Sequence, residues 1–106
     1  MQIVNVARDF SRFPSGRFTK HGSTSGEGFR SKFLVGLIKA GKQVTVQMDG
    51  AIGYSSSFLE EAFGGTVREL HISAAQLKAL LHIESSDQAL IDEIYGYIDD
   101  AGRRSH

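Results

Sequence analysis

Three consecutive serines, Ser55, Ser56 and Ser57, stand in the stretch "MDGAIGYSSSFLEEAFGG", residues 48–65. A serine at this place can be a nucleophile, a phosphate acceptor or a helix cap. A nucleophile needs a base to take its proton and a third group to orient that base. No Gly-x-Ser-x-Gly elbow surrounds these serines, and no Ser-x-x-Lys pair occurs in the chain. Ser57 with His21 or His71 as base has neither an assigned orienting acid nor an oxyanion motif, so no catalytic residue is expected. Ser57 and Glu60 do have the Ser-x-x-Glu spacing of a capping box. That makes Ser57 the expected N-cap, worth about 1 kcal/mol. The same position is open to a kinase. A phosphate adds about two negative charges, which a helix N-terminus tolerates.

A second group lies upstream. Arg17, Lys20, His21 and Arg30 flank a Gly/Ser/Thr-rich stretch that leads through Ser25 into an expected helix. Free N–H groups and the positive end of the helix dipole attract anions, and arginine adds forked donors. An anion- or nucleotide-sensing site is one reading of these residues. The other is an ordered loop in which Arg17 pairs with a neighbour such as Glu27 or Asp9. No phosphate-loop pattern is present, because His21 stands where the second glycine belongs. The four histidines, His21, His71, His82 and His106, lack paired ligand spacing. Neither a metal nor a cofactor is expected.

These residues need a frame. "QIVNVAR" reads as a first strand, and the following stretch to Phe29 as a long loop with a short strand near Arg17 to Thr19. Thr24 and Glu27 have capping-box spacing for a helix with Phe29, Phe33, Leu34, Leu37 and Ile38 inward, stopped by Gly41. "QVTVQMD" is the next strand. "SFLEEAF" is a short helix with Phe58, Leu59, Ala62 and Phe63 inward, ended by Gly64-Gly65. "TVRELHI" reads as a strand. Ser73-x-x-Gln76 opens a helix through Leu77, Leu80 and Leu81. The last helix, "SSDQALIDEIYGYIDDAG", turns Leu90, Ile91, Ile94, Tyr95 and Ile98 inward. Strands alternating with helices predict an α/β domain with a central, mostly parallel sheet and helices packed against it.

One domain over residues 1–106 is expected, with a fraying tail from 101 to 106. The 12 Lys+Arg balance the 12 Asp+Glu, so no nucleic-acid partner is expected. No apolar run is long enough to span a bilayer, and the start is too polar for a signal peptide, so no membrane partner and a cytoplasmic location are expected. There is no cysteine, hence no disulfide. A homodimer is an open option for so small an α/β chain.

The motifs then reach a resemblance. "VTVQMDGAIGYSSSFLEEAFGG" resembles the strand–loop–helix signature of STAS domains, the anti-sigma-factor antagonists, in which a strand and loop lead to Asp-Ser-Ser-Gly-Leu. The chain is closer still to the STAS-like domain family of unknown function (DUF4325). The shared residues are Gly16, Arg17, His21, Gly22, Ser25, Gly26, Glu27, Phe29 and Arg30, with a second block from Ser55 to Gly64. The resemblance spans roughly residues 3 to 72. It implies a STAS-type fold, a bacterial regulatory role in signal transduction without enzyme activity, and association with a histidine-kinase-like ATPase or anti-sigma-type regulator. It sets Ser57 at the phosphorylated position and Ser56 before it. Two departures stand out: Ser55 replaces the aspartate of the motif, and Phe58 replaces its glycine. The expected docking surface is therefore Ser55, Ser56, Ser57 and Phe58, with the following helix, and phosphorylation of Ser57 comes second.

Overall fold

The computed structural model describes residues 2–104. Strand β1 is Gln2–Asn5, β2 is Val44–Gln47 and β3 is Leu81–Glu84. They form one parallel sheet in the order β1-β2-β3. The register sets Val4 beside Val46 and Val46 beside Ile83. Helix α1 covers residues 26–39, helix α2 covers 56–70, α3 is Ala74–Leu80 and α4 is Gln88–Arg104. Both α1 and α2 widen in the middle into π-helical stretches, Arg30–Leu34 and Glu60–Gly64. The expected α/β class with helices against a parallel sheet holds.

Strands in sequential order with right-handed crossovers put their helices on one face. Burial follows this rule. Val4, Val44, Val46, Met48, Leu81 and Ile83 are buried beneath the helices, whereas Ile3, His82 and Glu84 on the other face are exposed. The open face carries a polar row, Asn5 Nδ2 to Gln47 Oε1 at 3.4 Å and Gln47 Nε2 to Glu84 Oε1 at 3.2 Å. Under the helices an aromatic cluster joins Phe10, Phe29, Phe33, Phe58 and Phe63. It links α1 to α2 and sets the depth at which the serine segment sits.

Several expectations are corrected. The segment "TVRELHI" is not a strand. Helix α2 runs through Gly64-Gly65 to Leu70, and His71 ends it with a left-handed φ of 54°. The two glycines give clearance rather than a stop. A Cβ on Gly65 would lie 2.3 Å from Arg30 Nη1, and one on Gly64 would lie 2.6 Å from Glu60 Oε2. Thr66 then bonds its hydroxyl back to the Ala62 carbonyl at 2.8 Å, within the helix. The third strand comes later, at "LHIE", where Leu81 and Ile83 are buried and His82 and Glu84 exposed. Leu81 therefore begins β3 instead of continuing α3. The first strand stops at Asn5, and Val6–Phe10 winds into a π-helical turn capped by Asn5, whose Oδ1 accepts from Arg8 N. Thr19–His21 is a short 3-10 turn rather than a strand.

Capping also shifts. Ser25, not Thr24, caps α1, its Oγ accepting from Gly28 N at 3.1 Å. Glu27 instead reaches back to Thr19, accepting from its N–H at 2.8 Å and its hydroxyl at 3.1 Å. The Ser73–Gln76 capping box is present in both directions. Helix α4 buries Ile94 and Ile98 and continues past the point where fraying was expected: Ala101 and Gly102 are buried, and Gly102 lies against Ala74. Residues 105 and 106 lie outside the described residues, and His106 with them.

Candidate functional site

The serine segment is held by the loop before it. After β2, Met48 N donates to Glu84 O at 2.9 Å, and Met48 O accepts from the Tyr54 hydroxyl at 2.6 Å. Gly50, at φ +106°, turns the chain between these anchors. Ile52 N donates to Arg12 O at 2.8 Å, which ties this loop to the one after β1. Ile52 itself projects outward, 67% exposed. Burial pushes the Tyr54 hydroxyl well above the ordinary phenol range, and the nearby Asp49 charge adds to the shift. It stays protonated and keeps its bond to Met48.

The cap on α2 is Ser55 rather than Ser57. Ser55 Oγ accepts from Phe58 N at 3.1 Å and lies 3.3 Å from Ser57 Oγ. The expected partner of Ser57, Glu60, is turned away. Its carboxylate accepts from Arg17 Nη1 at 2.6 Å and from Arg68 Nη2 at 3.1 Å. The result is a graded triplet. Ser55 is the cap, Ser57 is half-buried beside it, and Ser56 is exposed at the first helical position. Phe58 is fully buried within the aromatic cluster, so its side chain is a floor for the loop and not a surface contact.

Helix α1 meets α2 immediately behind the serines. A Cβ on Gly26 would lie 2.4 Å from Phe58 O and 2.9 Å from Ala62 N, so only glycine admits this approach. An ion-pair network spans the junction. The buried Arg30 donates from Nη1 to the Glu61 carbonyl at 2.7 Å and to Glu61 Oε2 at 2.6 Å, and from Nε to Glu69 at 2.9 Å. Arg17 also reaches Glu61 at 3.2 Å. Burial alone would raise the Glu60 pKa, but the bonds from Arg68 and Arg17 outweigh it and hold the carboxyl below its ordinary value.

The expected anion-binding set is thus dispersed. Arg17 and Arg30 are paired with carboxylates, and Ser25 is occupied as a cap. Lys20 and His21 are exposed on the 3-10 turn, stacked near Phe18 at 5.7 and 5.8 Å. Arg17 does pair with acids, but with Glu60 and Glu61 rather than Glu27 or Asp9. No histidine among the described residues hydrogen-bonds a serine of the triplet: His82 bonds Gln43 on the open face, and His71 terminates α2. No group of three His, Cys, Asp or Glu among the described residues has metal-binding geometry.

Sequence reasoning missed the other half of this end of the sheet. Asp49 follows β2 and accepts from Ser85 Oγ, Ser86 Oγ and Ser86 N at 3.0–3.1 Å. Chiefly the Ser86 N–H holds its pKa low. A cavity of about 390 Å³ opens beside it, between the 49–54 loop and the start of α4. The position of Asp49 after a strand, ahead of a glycine, was the available signal. No helix among the described residues is long and apolar enough to cross a membrane.

The comparisons bear on the same region. No curated protein and no solved structure matches the chain. A family model, the STAS-like domain of unknown function (DUF4325), matches residues 25–89. The match includes the whole serine segment and the Ser25–Arg30 helix start, and omits Gly16 to Gly22 of the first shared block. With its parallel sheet, its helical cover and a match over most of its length, the chain belongs to the STAS-like DUF4325 family.

Proposed function

We propose that this chain is a regulatory protein-binding module that docks a histidine-kinase-like ATPase through its serine loop and the first turn of α2. One observation carries the reading. Ser56 is exposed at the start of α2, four residues after the exposed Ile52 in the same segment, on a frame fixed from below by the Ser55 cap and the buried Phe58. A segment that presents an exposed polar group and an exposed apolar one on a packed base suits recognition of a protein surface. The kind of partner comes from the resemblance to anti-sigma-factor antagonists.

Phosphorylation is the second part of the proposal. Ser57 occupies the position of the phosphorylated serine in the antagonist motif. Its hydroxyl is half-buried and in contact with Ser55, so a phosphate there displaces that contact. Ser56 has no such contact and is the more accessible acceptor. On either serine a phosphate adds about two negative charges at the positive end of α2, which leaves the helix intact and changes the surface that a partner reads. Anion sensing by the 16–30 loop has less support, because its two arginines are neutralised by Glu60, Glu61 and Glu69.

The test is calorimetric titration with the histidine-kinase-like ATPases of the same genome, followed by mass spectrometry after incubation with ATP. Binding that weakens in Ser56→Asp, with an unchanged melting temperature, is the expected result. Failure to bind any such ATPase overturns the docking reading. A phosphate on a residue other than Ser56 or Ser57 overturns the switch.

A further inference from the structure

The end of the sheet that carries the serines also indicates what chemistry a partner brings. Ile52 and Phe13 are 67% and 65% exposed, and the backbone bond from Ile52 N to Arg12 O sets their loops side by side. Solvent-facing apolar side chains in neighbouring loops are a feature of interaction surfaces more than of inert ones. Beside Ile52 lies the cavity of about 390 Å³. Its volume falls within the range of about 300–1,000 Å³ in which proteins hold small groups. Ala51, Tyr54 and Leu90 give it apolar walls, and Asp49, Asp87 and Glu93 line it with carboxylates. Among the described residues, no lysine, arginine or histidine lines it.

These three acids differ from the others nearby in how they are satisfied. Glu60, Glu61 and Glu69 pair with arginines, and Asp99 pairs with Lys78. Among the described residues, Asp49 accepts from Ser85 and Ser86, Asp87 from the N–H groups of Ala89 and Leu90, and Glu93 from the Tyr97 hydroxyl. Neutral donors leave the negative charge of each carboxylate uncompensated. The cavity therefore has one sign of charge and an apolar wall, and the 49–54 loop that lines it carries the exposed Ile52 between its lining residues Ala51 and Gly53. An anionic or wholly apolar occupant fails one of these conditions. A basic side chain meets all of them, with its alkyl stem on Leu90 and Ala51 and its head among the carboxylates.

We propose that the partner inserts one arginine or lysine side chain into this cavity and lays apolar neighbours on Ile52 and Phe13. The inference rests on the docking reading and adds the partner's chemistry to it. The first test needs no partner. The 15N-labelled chain is titrated with N-acetyl-arginine-methylamide, and separately with the norleucine and glutamine counterparts. A saturable shift of the Gly53, Ala89 and Glu93 amides with the arginine probe alone is expected. Glu93→Gln keeps the acceptor for Tyr97, and Asp87→Ser keeps a helix-capping oxygen while removing charge. Each is expected to weaken the arginine response several-fold with a native spectrum elsewhere. No saturable response, or an equal one to norleucine, overturns the proposal.

The second test uses the ATPase. Ile52→Asp and Glu93→Gln are each expected to weaken its binding about tenfold, the scale of a central contact. ATPase binding that ignores both variants overturns the cavity proposal and leaves docking in place. An intact arginine response with no ATPase binding overturns the docking reading and leaves the cation cavity standing. Concentration-dependent self-association that Ile52→Asp abolishes makes a second copy the occupant and overturns the proposal.

Discussion

Ser55 and Ser57 are two residues apart, yet only one caps α2, and the reason lies with Glu60. A capping box requires the acid three residues on to fold back to the cap, and Glu60 is held by Arg17 and Arg68 instead. Ser55→Ala should cost about 1 kcal/mol in urea unfolding, while Ser57→Ala should cost much less. A larger loss at Ser57 would return the cap to it. The pinned Glu60 carboxylate also shapes the acid limb of stability. Glu60 has a folded pKa below its ordinary 4.5. Its contribution is therefore complete above that value and is lost as pH falls through the folded one. Unfolding free energy should decline below about pH 4.5, and Glu60→Gln should flatten that decline. Removing the Glu61 carboxylate outright should cost more than removing that of Glu60, because the Arg30 it pairs with is buried. Glu61→Gln leaves a buried guanidinium without its nearest counter-charge and should cost about 3 kcal/mol, measured by the same unfolding.

At the scale of elements, glycines separate local propensity from packing. Alanine is a better helix former than glycine by about 1 kcal/mol, so Gly→Ala inside a helix stabilises wherever there is room. Gly96, inside α4, has nothing within 4 Å of a new Cβ. Gly96→Ala should raise stability by about 0.5–1 kcal/mol. A Cβ on Gly65, inside α2, would run into Arg30 Nη1, so Gly65→Ala should lower stability by about 1–3 kcal/mol despite its propensity. Thermal unfolding of the two variants reads opposite signs. This pair also explains what was legible beforehand. Strand β2, the body of α1, the Ser73–Gln76 box and the inward stripe of α4 depend on neighbours in sequence, and their patterns showed. Gly64-Gly65 looked like a helix stop because the guanidinium that needs the space comes from another helix. "LHIE" alternates as a strand should, but four residues following Leu77 and Leu80 read equally well as another helical turn. At the site, the triplet was legible as a helix start. The cap was not, because both Ser55 and Ser57 fit, and distant arginines decide between them. The cavity beside Asp49 forms only when β2 and β3 bring their following loops together.

For the whole molecule, the sheet is covered on one face and the loops that follow the strands gather at one end, so stability should be unevenly distributed. Strand β2 is central, paired on both sides, and has Val44 and Val46 buried. The loop from Ser11 to Thr24 has far less beneath it. Its backbone is tied across by Ser15 N to Thr24 O, Gly26 N to Gly16 O and Glu27 N to Arg17 O, each at 3.0 Å. Its main side-chain tether is Arg17, 36% exposed, reaching Glu60 and Glu61. Amides open with free energies from near zero up to the global value, according to how much packing must break. Native-state hydrogen exchange should therefore find Val46 and Gln47 exchanging only with global unfolding, and the amides of 15–24 opening well before it. Arg17→Ala should speed exchange through 15–24 and leave β2 unchanged, because Arg68 still satisfies Glu60 and Glu61. Equal acceleration in β2 would mean that the loop and sheet unfold as one unit, with Arg17 acting as a pillar of the whole fold. An unaffected sheet would mean that the loop carrying Phe13 can rearrange against Ile52 without loosening the core, the freedom a docking surface at this end needs.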